Sequence, residues 1–371
     1  MSTVRVAVIG VGHLGKIHAR LVKQLPEAEL VAVVDPIAPP RDQLAAELAV
    51  ASYADHRPLL GAIDAAIIAT PTQYHADVAV ELLRSGVHVL VEKPITLHPA
   101  EANELIAVAD AQHRVLQVGH VERFNPALLA AEPHLGEPKF IEAMRCGPYT
   151  CRSTDIGVVL DLMIHDIDVV LSLVRDELVG VQALGAAVFG PHEDWARATL
   201  TFANGCVAQL AASRVTPRPQ RAMHVYTRDA FATLDFGARK ATLMRPSDAV
   251  LGGEVDVNSL SPEAKTQLKE RVFQDYLPIQ ELTGPDINAI LEEQRDFLTA
   301  IQTGSQVRVT GRDGRDAVAV AGQILESIAA HSWDGPAATP AGVRIDEAQP
   351  ILRGPHWHRA KQTAPRRRLA G

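Results

Sequence analysis

The sequence predicts an α/β protein in two parts: a doubly wound parallel sheet, then an α+β domain with an open, mainly antiparallel sheet. Three observations predict it. Strand-like apolar runs alternate with helical patterns from residue 4 to residue 119. The alternation stops near Arg123-Phe124-Asn125-Pro126, and strand candidates then follow one another with no helix between them. Strands alternating with helices of about ten to fifteen residues build parallel βαβ units, whereas consecutive strands pair antiparallel or in mixed sheets. The expected domains are 1–122, 123–335 and a flexible, Pro-rich, basic tail over 336–371 ending in Arg366-Arg367-Arg368.

In order, the first part reads as strand Val4–Ile9, helix His13–Leu25, strand Leu30–Val34, helix Arg41–Leu48 and strand Ala65–Ala69. Helix His75–Ser85, strand Val87–Val91, helix Pro99–Gln112 and strand Val115–Gly119 complete it. The second part opens with a helical stretch, Val159–Val174. Strand candidates follow at Leu178–Phe189, Ala196–Phe202, Cys206–Ser213, Ala222–Thr227 and Phe231–Phe236. Helix returns at Ile287–Gln302 and Arg312–His331. No internal repeat is visible.

Bulk numbers bound the function. The chain has 371 residues, enough for two domains, with 47% apolar and 22% charged residues, ordinary for a globular protein. A net charge of -8 argues against a general nucleic-acid binder. No apolar run reaches the roughly 18 residues that span a bilayer, and the start lacks the pattern of a secretory signal. A cytoplasmic protein is expected. Cys146, Cys151 and Cys206 form no C-x-x-C pair, so reduced structural thiols and no metal centre are expected.

Two motifs carry chemistry. Gly10-Val11-Gly12-His13-Leu14-Gly15 follows a strand and opens a helix, the context that a dinucleotide-binding turn requires. Gly10 permits the turn, Gly12 lets the backbone approach a pyrophosphate, Gly15 allows close packing, and the helix N-terminus offers N–H groups to phosphate. Asp35 ends the next strand, about twenty residues on, where a carboxylate binds ribose hydroxyls and repels a 2′-phosphate. NAD is therefore the expected cofactor. Asp35 could instead only cap the turn at Pro36. Thr70, Pro71 and His75 follow a later strand at the same sheet edge, and His75 either touches the cofactor or starts its helix. The run Val87–Val91 reads as a buried strand ending in Glu92-Lys93-Pro94, which delivers a carboxylate and an ammonium to a cleft. Further on, Asp161 and His165 are four apart in an apolar helical segment and share a face, with Asp168 near the same stripe. A charged row in such a helix is paired, solvated or functional, and the pair points to an active site.

In this order, Gly10/Gly12/Gly15, Asp35, Glu92-Lys93-Pro94, Asp161 and His165 resemble the Gfo/Idh/MocA oxidoreductase family over about residues 4–330. The resemblance implies an N-terminal Rossmann domain and a C-terminal domain whose open sheet forms an oligomer interface, so a homodimer or homotetramer is expected. It implies NAD held by Gly10, Gly12, His13, Leu14, Gly15, Asp35, Thr70, Pro71, His75, Glu92 and Lys93. It makes Lys93 a contact of the reacting hydroxyl, His165 the general base with Asp161 beside it, and the peptide before Pro94 a candidate cis bond. Glu92 orients the lysine.

Gly119-His120-Val121-Glu122-Arg123-Phe124-Asn125-Pro126 resembles the signature of a branch similar to UDP-N-acetylglucosamine 3-dehydrogenases. That likeness implies oxidation of a sugar 3-hydroxyl, a downstream aminotransferase, and a product destined for lipid A or surface polysaccharide. Arg123 and Asn125 would meet the sugar, or serve only as a hinge. A diphosphate needs cationic partners, and Arg145, Arg152, Arg214, Arg218 and Arg221 are available. A free cyclitol or aldose substrate, or a non-catalytic NAD-binding regulator, are the other readings. Tyr226-Thr227-Arg228-Asp229-Ala230 departs from the Gly-rich turn of many relatives.

Overall fold

Two sheets organise the computed structural model, which describes residues 3–151 and 155–331. The tail predicted over 336–371 and Arg152 lie outside the described residues. The first sheet uses β1 (Val4–Ile9), β2 (Ala28–Val34), β3 (Ala51–Tyr53), β4 (Ala65–Ile68), β5 (His88–Glu92) and β6 (Leu116–Gly119). The connecting helices are α1 (His13–Val22), α2 (Ala38–Leu48), α3 (His75–Arg84) and α4 (Pro99–Ala111). The strand order is β3-β2-β1-β4-β5-β6, parallel throughout. After β1 the chain winds one way to β2 and β3, then returns to lay β4 on the other side of β1. That switch opens a crevice at the carboxyl ends of β1 and β4, where open α/β sheets bind ligands.

The differences from the sequence reading have local causes. Helix α2 starts three residues early because Pro39 and Pro40 fall in its first turn, where no N–H is needed. Strand β3 is three residues long and largely exposed, too short to leave a pattern.

The second part contains α5 (Pro126–Ala131), β7 (Phe140–Cys146), a π-helical turn (Val159–Met163) and α6 (Ile164–Val174). Strands β8 (Leu178–Ala186), β9 (Trp195–Phe202), β10 (Val207–Ser213), β11 (Gln220–Tyr226), β12 (Phe231–Asp235) and β13 (Lys240–Met244) follow. Then come α7 (Asp248–Leu251), α8 (Pro262–Arg271), β14 (Ile279–Leu282), α9 (Ala289–Thr303) and α10 (Gly311–Ala330). The order is β14-β13-β12-β11-β7-β10-β9-β8, antiparallel except for β7 on β10. The sequence reading did not contain β7. Its inward positions are Ile141, Ala143 and Arg145, and an arginine on the buried side hides the alternation.

Helices α6 and α10 cover one face of this sheet. The opposite face carries the exposed Tyr226 in ring contact with Phe140 on one side and Phe231 on the other. The closing helices return to the first sheet. Phe297 and Leu298 of α9 complete a core with Val6, Val8, Val33 and Leu90, and α10 packs between α4 and α6. No helix among the described residues is long and apolar enough to cross a membrane.

Candidate active site

The crevice at β1 and β4 is a cleft of about 810 Å³ whose walls include Gly10, Gly12, Asp35, Thr70, Pro71 and Tyr74. Its turn is built from backbone. Gly10 has φ +89°, and a Cβ there would lie 2.6 Å from the Ala69 carbonyl oxygen. A Cβ on Gly15 would lie 1.8 Å from the Gly10 oxygen, so α1 sits directly on the turn. A Cβ on Gly12 would meet nothing within 4 Å, which leaves that backbone approachable by a ligand. No side chain caps α1, so the first N–H groups, around exposed His13 and half-buried Leu14, remain available to phosphate.

Asp35 caps two backbone N–H groups and also lines the cleft. Its Oδ2 accepts from Val11 N–H and its Oδ1 from Ile37 N–H, each at 2.9 Å, while the carboxylate lines the cleft. Arg57 in the same wall is already paired with Asp55 and Glu81. These features fit an NAD-type dinucleotide. His75 is buried, with Nδ1 2.9 Å from the Pro94 oxygen and Nε2 2.9 Å from the Thr70 oxygen. It ties the Thr70-Pro71 loop to the Glu92-Lys93-Pro94 turn.

Strand β5 carries that turn to the edge of the first sheet. Glu92 is buried; its Oε1 lies 2.6 Å from His18 Nε2 and its Oε2 accepts from Lys93 N–H at 3.2 Å. Burial pushes its carboxyl up, but the His18 hydrogen bond and the charge of Lys93 help to hold it below the usual range. The Gln294 amide donates to His18 Nδ1 at 2.8 Å and to the His18 oxygen at 3.2 Å, so His18 carries its proton on Nε2 and donates it to Glu92. Fully buried Glu293 has no partner for either carboxylate oxygen, and burial followed by the charge of Glu92 pushes it well above the usual range. His18, Glu92 and Glu293 have donor atoms within 4.8 Å of one another. The 2.6 Å His18–Glu92 separation is a hydrogen bond, shorter than the about 3.3 Å between two donors on a tetrahedral zinc.

Lys93 crosses to the second part. The Lys93–Pro94 peptide is cis, and Lys93 Nζ donates to the Asp161 backbone oxygen at 2.7 Å and to its Oδ1 at 3.1 Å. Asp161 lies in the π-helical turn and His165 in the first turn of α6, so the expected regular α-helix is widened between them. His165 is partly exposed, while its Nδ1 is buried without a partner. Burial, then the charges of Lys93 and Arg145, hold the imidazole well below its usual pKa, so it is a neutral base. Asp168 faces away from this pair. It lies 3.3 Å from Arg123, and burial pushes its carboxyl up to about 7.

Beneath these groups is a buried ionic scaffold. Arg145 bonds Asp166 at 2.8 Å and Glu122 at 2.7 Å. Arg123 and Asn125, expected at the sugar, are directed inward. Arg123 contacts Asp168 and the Arg308 oxygen; Asn125 donates to Glu122 and the Phe236 oxygen, and its Oδ1 caps α5. Of the candidate diphosphate arginines, Arg145 and Arg214 are consumed by internal pairs, whereas Arg218 and Arg221 are exposed and have no ion pair among the described residues. Arg221 is in register with Arg145 on the neighbouring strand and acts electrostatically on His165. Sequence reasoning gave no role to His18, His120, Glu122, Asp166 or Glu293. Charged and imidazole side chains inside apolar stretches were the available signal.

Comparison with known proteins agrees with this geometry. Residues 4–120 match the Gfo/Idh/MocA oxidoreductase family, NAD-binding Rossmann fold, and residues 129–232 match the Gfo/Idh/MocA C-terminal domain. The chain is 36% identical over 331 residues to UDP-N-acetylglucosamine 3-dehydrogenase of Acidithiobacillus ferrooxidans, covering 89% of this chain and 99% of that one. It is 27% identical over 350 residues to inositol 2-dehydrogenase of Rhizobium meliloti, covering 88% and 97%. The solved Acidithiobacillus ferrooxidans enzyme superposes with a TM-score of 0.77 at 35% identity, covering 88% of this chain and 98% of that one. A levoglucosan dehydrogenase solved with NADH and levoglucosan shares the fold, with a TM-score of 0.75 at 18% identity over 88% and 98% of the chains. The chain belongs to the Gfo/Idh/MocA oxidoreductase family and carries that family's NAD-binding Rossmann domain.

Proposed function

We propose that this enzyme oxidises the 3-hydroxyl of UDP-N-acetylglucosamine to the 3-keto sugar with NAD. The observation that carries the reading is the Lys93–Asp161 bridge beside the neutral imidazole of His165, on a chain similar over 89% of its length to a dehydrogenase of that sugar nucleotide. Bound at the Gly10–Gly15 turn, NAD supplies the hydride acceptor. The protein supplies position and charge. His165 takes the hydroxyl proton, a task suited to an uncharged imidazole. Lys93 places an ammonium where alkoxide charge develops, and Asp161 fixes its direction through two hydrogen bonds. Arg221, exposed beside His165 and free of ion pairs among the described residues, is our choice for the diphosphate, with Arg218 next to it in the chain.

The test is NADH formation with UDP-N-acetylglucosamine, coupled to an aminotransferase to draw off the keto sugar. A free inositol that gives NADH where the nucleotide sugar does not would move the assignment to the cyclitol reading, which the similarity to inositol 2-dehydrogenases favours. With this function go a cytoplasmic location, where NAD and nucleotide sugars are found, and a 3-amino-sugar product for lipid A or surface polysaccharide. The exposed aromatic face at Phe140, Tyr226 and Phe231 suits a homodimer or homotetramer contact.

A further inference from the structure

Among the described residues, three imidazole nitrogens are buried without a partner at one place: Nδ1 and Nε2 of His120 and Nδ1 of His165. The two rings meet edge to face, with centroids 6.3 Å apart and planes at 88°. Native folds rarely leave such groups unpaired, and the exceptions call for a reason. Simple packing is a poor one for His120, because an apolar ring would fill the space without the desolvation cost. His120 is fully buried directly after β6, so it is closed off from the cleft.

Burial, helped by nearby charge, keeps His120 neutral. Burial, then Lys93 and Arg123, push it down to about 3, against weaker pulls from Glu92 and Asp313. His165 faces Lys93, Arg145 and Arg221 as well as His120. With His165 Nδ1 buried, Nε2 is the nitrogen left for a substrate hydroxyl. A base acting at Nε2 carries its own proton on Nδ1, and that N–H needs an acceptor, most of all when the ring becomes an imidazolium. The neutral ring of His120, with its centroid 6.3 Å from that of His165 and both nitrogens unpartnered among the described residues, is the candidate. Catalytic hydrogen bonds are often long before substrate binds and tighten in the complex.

The geometry points to His120 as a positioning residue that accepts the Nδ1–H of His165 in the substrate complex, fixing the tautomer and ring plane of the base. This rests on the reading of His165 as the general base. The hydroxyl proton moves to His165 Nε2, and no proton passes to His120.

The experiment compares H120F, which keeps an aromatic ring without nitrogens, with H120N, which keeps an acceptor, and with H165N. In H120F, kcat falls about 10- to 100-fold with KM for both substrates within about threefold. The acidic limb of its kcat/KM profile moves to lower pH, because an acceptor that stabilised the imidazolium is gone. H120N recovers a large part of kcat and of the limb. A packing role would lower kcat at every pH without moving the limb, and that result, or a kcat in H120F within about twofold of wild type, overturns the inference. If H165N itself keeps turnover, the base assignment fails first; if H165N is inactive while H120F is unchanged, only the role of His120 fails.

Discussion

The cofactor cleft and the proposed catalytic corner lie on the same sheet edge but are made of different material. The cleft is backbone: a positive-φ glycine, an open glycine, a glycine packed against the turn, and a helix end. The corner is side chains: Lys93 reaching Asp161, His165 against His120, and Arg145 bonded to Asp166 and Glu122 in the ionic scaffold. The first tolerates little change of shape, the second little change of charge. They are expected to fail in different ways when altered.

The largest expected effect tests the corner. K93M and H165N each lower kcat at least about 100-fold, while NAD affinity by calorimetry stays within a few-fold. A parallel loss of NAD affinity would show that the two regions are not separable. Next comes shape in the cleft. G15A forces a Cβ into the Gly10 carbonyl, an overpacking worth about 1–3 kcal/mol, and lowers the melting temperature by several degrees. G12A has open space, so it melts within about a degree or two of wild type and raises the NAD KM about tenfold. Equal melting losses in the two variants would remove the distinction between a packed and an approachable glycine.

R221Q is expected to raise the KM for UDP-N-acetylglucosamine about tenfold with little change in kcat, the cost of one charge-assisted contact. The smallest effect is thermodynamic. Glu293 has its carboxyl pushed well above the unfolded value of about 4.3. A raised pKa gives stability that is complete below the unfolded value and is lost as pH climbs toward the folded one. E293Q, uncharged at every pH, therefore melts above wild type at about pH 8, and the gap narrows toward about pH 5. A gap independent of pH would mean that Glu293 is ionised in the fold.

Legibility in the sequence follows the same division. Backbone chemistry repeats locally, so Gly10, Gly12, Gly15 and Asp35 could be read within one βαβ unit, and the parallel order followed from alternation. Lys93, Asp161 and His165 were readable as types, but the Lys93–Asp161 contact spans 68 positions and no spacing rule links them. The π-helical turn was not visible either, since an i, i+4 pattern does not announce an extra residue in the turn. Arg123 and Asn125 show the converse limit. Polar residues at a domain junction look like ligands for a substrate until burial and partners are known, and here those partners are Asp168, Glu122 and backbone carbonyls.

The hydrogen bond between Gln294 and His18 joins residues 276 positions apart, and the same helix inserts Phe297 and Leu298 into the first sheet's core. A ribosome releases the nucleotide-binding strands early and this helix late. The support under Glu92 and Lys93 is therefore the last part of the catalytic turn to be installed. The nascent chain holds the outline of a cofactor site long before it holds a supported lysine, an order of assembly that leaves Lys93 loosely placed until α9 has been made.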